Sequence, residues 1–122
     1  MIDHDDELML NCLQKLYDAT DNGTIDVVQG RNISIDENNE LVYYTTNYWN
    51  IKTVITSFES LNLDEIWHHL ILAPTALWIC LIKNEFQKDL ELSDCVYNDV
   101  DFIWKLKIAA QSFCYIPDYI YK

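Results

Sequence analysis

Apolar residues recur three and four apart near the start of the chain, at Met9, Cys12, Leu13, Leu16 and Tyr17. This spacing lines one helix face, and it predicts a first helix that Asp5 or Asp6 caps and that runs to about Asp18. Asp21-Asn22-Gly23 then stops it, because Asn and Gly tolerate the left-handed backbone that ends helices. From Thr24 the pattern shortens to β-rich runs at residues 25–28, 33–36 and 41–46. Gly30-Arg31-Asn32 and Glu37-Asn38-Asn39-Glu40 separate these runs as turns, so two or three short antiparallel strands are expected.

Helical spacing returns at Asn50. Ile51, Val54, Ile55 and Phe58 predict a helix over residues 50–61, and Asn62 or Asp64 caps a further one to about Leu72. Pro74 suits the first turn of a helix reaching about Asp89. That segment is apolar almost all round at Trp78, Ile79, Cys80, Leu81, Ile82 and Phe86, the mark of a central element. Asn98 caps a last helix to about Cys114, with Phe102, Ile103, Leu106, Ala109, Ala110 and Phe113 as its core stripe. The aromatic tail 115–121 is expected to pack back or to cover a partner. The predicted fold class is therefore α+β in one domain over residues 1–122. It has an N-terminal helix, a small antiparallel hairpin or three-strand sheet over about residues 24–48, then three to four packed helices.

Charge changes the picture more than composition does. Twenty Asp and Glu face eight Lys and Arg, a formal net charge of −12, yet half the 122 residues are hydrophobic. Such a chain can bury a core and carry its charge outside. Residues 1–61 hold eleven acids and three bases, so most of the field belongs to the N-terminal half. The acidic start does not read as a secretory leader, which predicts a cytoplasmic protein. Residues 66–82 carry no Asp, Glu, Lys or Arg. They are short for a membrane span and hold two histidines and a proline, so a buried core segment is expected. Cys12, Cys80, Cys95 and Cys114 form no CxxC pair and read as free thiols.

Two constellations invite chemistry. Asp18, Thr20 and Asn22 stand at positions one, three and five of a loop that resembles an EF-hand calcium loop. Gly23 falls at its sixth position, Ile25 at the eighth and Asp26 at the ninth. Gln29 replaces the bidentate Glu at the twelfth, which removes the strongest ligand. Asp18, Thr20, Asn22 and Asp26 are thus weak metal candidates, and no cofactor is expected. On a helix, Asp64 and Glu65 would each face a histidine four residues on, His68 and His69. Adjacent histidines point about 100° apart on a helix and do not share one metal. With two isolated glycines the chain holds neither GxGxxG nor a P-loop, and no GxSxG occurs. No catalytic residue is assigned, and the chain is read as a non-enzyme.

A surface of this charge repels nucleic acid, whose binding rests on Lys and Arg, and it attracts basic proteins. The expected function is a small acidic binder that neutralises a basic partner in a one-to-one complex. In general character it resembles immunity proteins and antitoxins that inhibit nuclease-like toxins, and phage-type anti-defence inhibitors. A non-inhibitory adaptor or assembly subunit is the alternative, and a small metal- or calcium-dependent module stands behind both. The expected interface is the hairpin turn, Asp36, Glu37 and Glu40, with Tyr43, Tyr48 and Tyr97 as aromatic anchors. A second acidic cluster is Asp94, Asp99 and Asp101.

Overall fold

A computed structural model describes residues 7–44, 49–72, 76–90 and 98–122. Its elements are α1 (Cys12–Asp18), β1 (Val27–Ile35), β2 (Leu41–Tyr44), β3 (Thr53–Ile55), α2 (Leu63–Trp67), β4 (Cys80–Ile82), α3 (Asn84–Asp89), α4 (Asn98–Ala109) and β5 (Phe113–Tyr121). A π-helical turn, His68–Leu72, prolongs α2, and single 3-10 turns cover Phe58–Ser60 and Leu77–Ile79. The strands form one five-stranded mixed sheet ordered β2-β1-β5-β3, with β4 also paired to β1. This overturns the expected small antiparallel sheet followed by packed helices. The fold is a mixed α/β arrangement in which strands dominate.

The reason lies in β5. The expected C-terminal helix ends at Ala109, and the apolar-aromatic segment beyond it is the central strand. It runs parallel to β1 and antiparallel to β3. Phe113 and Tyr115 face a cluster with Phe102, Ile103 and Leu106 of α4, while Cys114, Ile116 and Ile120 face Cys12 and Leu16 of α1. A strand covered on both faces needs no polar alternation, so its sequence carries no period of two. The same ambiguity misleads at residues 76–89, where an all-round apolar run is the short strand β4, not a helix. At residues 50–61, Ile55 is buried while Ile51 is exposed, and the stripe is split by β3. Of the two expectations for the tail, it packs back: Tyr115 and Ile120 are buried in the sheet.

The first helix is shorter than its stripe suggested. Glu7 and Lys122 exchange backbone hydrogen bonds of 2.6 and 2.9 Å, and Leu8 bridges Tyr121, so residues 7–9 run along the end of β5. Asn11 takes left-handed backbone before the helix begins. Only Cys12, Leu16 and the following Ala19 are buried; Leu13 and Tyr17 face outward. Gly30-Arg31-Asn32, expected to turn, instead continues β1 as an unbroken strand. Its neighbour absorbs the irregularity. Gln29 pairs Tyr115 and Arg31 pairs Tyr119, so Gly30 faces a bulge of β5 that contains Pro117. A proline cannot donate to a ladder, and a bulge is where a sheet accepts one.

Gly30 is required there by space, not by backbone angle. A Cβ at this position would lie 2.8 Å from Cγ1 and 2.9 Å from Cδ1 of the buried, β-branched Ile120. The stiff isoleucine has no free rotamer to retreat into. Gly30→Ala is expected to lose about 1–3 kcal/mol of stability. A urea midpoint equal to wild type would show that the bulge yields.

Candidate functional site

The turn expected over residues 37–40 joins β1 to β2 as an antiparallel hairpin with Ile33 opposite Tyr44 and Ser34 opposite Tyr43. Asp36 shapes it. Its Oδ1 accepts from the backbone N–H of Asn38 at 2.8 Å and of Glu40 at 2.9 Å. The backbone closes with Asp36 N–H to the Glu40 carbonyl at 2.9 Å, and Asn39 takes left-handed backbone. The Glu40 N–H holds the Asp36 carboxyl below the usual carboxylate range, opposed by slight desolvation and assisted by Asn38. Asp36 thus turns its charge into the loop, and Glu37 and Glu40 present theirs to solvent.

The strand beyond the turn is bare. Successive strand residues point to opposite faces, yet Leu41 is 58% and Val42 is 68% exposed. β2 is also the end strand of the sheet order. The result is an acid-tipped ribbon with apolar side chains on both faces. Tyr43 belongs to this strand by register. Tyr48, Asp94 and Tyr97 lie outside the described residues. Asp99 and Asp101 occupy the first turn of α4, half-buried, where they suit the helix dipole. Asp101 also pairs with Lys105 at 2.6 Å.

The calcium-like loop is committed elsewhere. Thr20 Oγ1 donates to the Tyr17 carbonyl at 2.7 Å and accepts from Gly23 N–H at 3.0 Å. Asp21, Asn22 and Gly23 all take left-handed backbone, as a helix stop requires. Asp18 accepts from Gln14 at 2.6 Å. Asp26 is buried and points to the other end of the chain, where Oδ2 accepts from Gln111 and Ser112 N–H at 3.0 Å each. Among the described residues no group of three or more His, Cys, Asp or Glu is placed to hold a metal ion.

A polar row that periodicity did not reveal crosses the sheet, fully buried at Gln29 and Tyr115. Cys80, Gln29, Tyr115 and Thr53 are register partners on successive strands. Tyr115 lies 2.8 Å from His69 Nδ1, and Trp49 stacks on its ring at 4.6 Å. His69 also bonds the backbone carbonyl of Lys107, which requires a ring N–H. The assignment that satisfies both places the proton on Nε2 and lets Nδ1 accept from the Tyr115 hydroxyl. Burial, then the Lys107 cation, lowers His69 to about 4, so the ring is neutral at pH 7. Burial also lowers Lys107 to about 8 and raises Cys80 to about 12.

His69 and Lys107 are each 1% exposed. They lie beneath a dent of about 180 Å³ whose solvent-facing rim includes Phe58, Ile108 and Gln111. With both ring nitrogens engaged, His69 presents no open valence to a ligand. Lys107 had one legible signal: it follows Ile103 by four residues and so falls on the core stripe of α4. Tyr115 had none, since its role depends on the strand that carries it. The β1–β2 hairpin, by contrast, carries exposed carboxylates at Glu37 and Glu40 and exposed apolar side chains at Leu41 and Val42. Among the described residues no helix is long and apolar enough to cross a membrane. No protein-family model and no curated protein matches this chain.

Proposed function

We propose that this chain is an acidic binding module that docks its β1–β2 hairpin on a basic protein and neutralises it. The inhibited partner is of the nuclease-like toxin class, whose cleft is basic because its substrate is a polyanion. The observation that carries this reading is the hairpin itself: Glu37 and Glu40 exposed at the tip, Leu41 and Val42 uncovered on opposite faces behind it. Exposed apolar side chains behind a charged tip combine the two terms of a fast, specific interface. Carboxylates steer the encounter, and apolar burial holds the docked state. An immunity or antitoxin protein and a phage-type inhibitor would share this chemistry; the enzyme encoded beside the gene distinguishes them.

Asp36 must be kept in the test because it builds the turn. Glu37→Lys with Glu40→Lys reverses the tip while leaving the loop hydrogen bonds of Asp36 in place, since those use the backbone of residue 40. The association rate with the cognate basic enzyme, measured by stopped flow, is expected to fall about tenfold at low salt. The two proteins should converge as salt rises, with unchanged thermal melting. Equal rates at low salt would remove the hairpin from the interface.

A further inference from the structure

A second surface fits the same kind of partner. Leu63, Trp67 and Ile71 recur every four residues along α2 and its π-helical extension, and they are 69%, 53% and 41% exposed. Residues four apart share one face of an α-helix, so Leu63 and Trp67 stand together, and Ile71 in the next turn is exposed as they are. Ile71 stays exposed in this turn, while His69, between Trp67 and Ile71, turns inward to Tyr115. The helix start is fixed by a capping box: Asn62 accepts from Glu65 N–H at 3.0 Å, and Glu65 Oε2 accepts from Asn62 N–H at 2.9 Å. The ridge is thus built on a capped, anchored helix.

Charge selects the occupant. Residues 53–82 contain Glu59, Asp64 and Glu65 and no Lys or Arg. Asp64, next to Leu63 in α2, and Glu59, in the turn that precedes α2, are exposed. A second copy would set acid against acid, whereas a basic segment is complementary. The exposed face of α1 carries no such preference, because Lys15 pairs Asp118 at 2.8 Å and Lys122 pairs Glu7 at 3.0 Å around it. We infer that Leu63, Trp67 and Ile71, with Asp64 on the same helix and Glu59 in the turn before it, form a docking ridge for a basic amphipathic helix of the partner protein. This rests on the reading of the chain as a binder of a basic protein. Trp67 is the anchor, since buried tryptophans carry a large share of interface energy.

The test is an amide NMR titration of the full chain with three synthetic peptides: a Lys/Leu amphipathic helix, its Glu/Leu counterpart and oligolysine. The Lys/Leu peptide should saturate shifts over residues 63–72, and the Glu/Leu peptide should bind at least about tenfold more weakly. Oligolysine should leave the ridge unsaturated. Trp67→Ala should weaken the Lys/Leu peptide about tenfold with the rest of the spectrum intact, and Leu63→Lys should do the same independently. The Glu37→Lys, Glu40→Lys protein should titrate like wild type, so failure of the hairpin and failure of the ridge are separable. Absent shifts on residues 63–72, equal binding of the Glu/Leu peptide, or an unaffected Trp67→Ala protein would each overturn the ridge. So would self-association in sedimentation that buries it.

Discussion

Lys107→Met is expected to stabilise the protein at pH 7. Lys107 is buried against β4, where burial lowers it from 10.5 to about 8. Below pH 8 the folded state carries a desolvated cation that the unfolded chain keeps in water. The difference corresponds to about 3 kcal/mol. Methionine fills a similar volume without the charge, and the Lys107 backbone carbonyl that His69 uses is retained. A gain of about 2–3 kcal/mol should raise the melting temperature by roughly 5–10 °C.

The pH dependence gives a signature that simple repacking lacks. Between pH 8 and 10.5 the folded lysine is neutral while the unfolded one still holds its proton. The unfolded state then binds more protons, so the Lys107 contribution makes stability rise with pH across that window. Burial of Cys80 and Tyr115 acts in the opposite direction at alkaline pH, because both thiol and phenol are raised in the fold. The comparison is therefore wild type against Lys107→Met from pH 7 to 9.5, where the advantage of the variant should shrink. A variant less stable than wild type, or an advantage constant with pH, would show that the fold compensates the Lys107 charge.

The largest loss is expected at Asp26, which joins three strands where the chain reverses. Its carboxylate takes the N–H groups of Gln111 and Ser112 at the entry to β5. Its own N–H goes to Ser112 Oγ at 2.9 Å, and its carbonyl accepts Lys83 N–H at 2.8 Å at the exit of β4. Lys83 Nζ stands 3.8 Å from the carboxylate but 2.8 Å from Glu85, so that ion pair contributes little. Asp26→Ala leaves the N–H groups of Gln111, which is exposed, and Ser112, which is buried, without their acceptor. Each such orphan costs about 1–3 kcal/mol, so a loss of about 2–4 kcal/mol is expected in chemical denaturation. Asp26→Asn keeps one acceptor oxygen and should lose about half as much. A loss within about 0.5 kcal/mol for Asp26→Ala would mean that water replaces the carboxylate.

These two residues also mark where sequence reasoning reached and where it stopped. Asp26 was legible as an acid beside a helix stop, and the calcium-like spacing around it was real. Its partners lie more than eighty residues away, and no local spacing encodes them. Lys107 sat visibly on a core stripe, but a lysine there ordinarily reaches water along its stem. Only the strands beneath it and His69 beside it close that route. Asp36 shows the opposite case, because its partners are two and four residues away and the turn it builds was predictable from Glu37-Asn38-Asn39-Glu40.

Local chemistry alone therefore determined the net charge and its bias to the N-terminal half, the helix stop at residues 21–23, the hairpin turn and the part of the α4 stripe formed by Phe102, Ile103 and Leu106, whereas Ala109 is exposed and Phe113 belongs to β5. Each depends on side chains within about one turn of one another, or on a sum over the chain. Tertiary structure decided which apolar runs became strands. Residues 80–82 and 113–116 are apolar without alternation, and such runs satisfy helix and buried-strand patterns equally. Pairing with β1 settles the matter for both, antiparallel for residues 80–82 and parallel for residues 113–121, because hydrogen bonds from a distant strand select the extended backbone that local spacing left open.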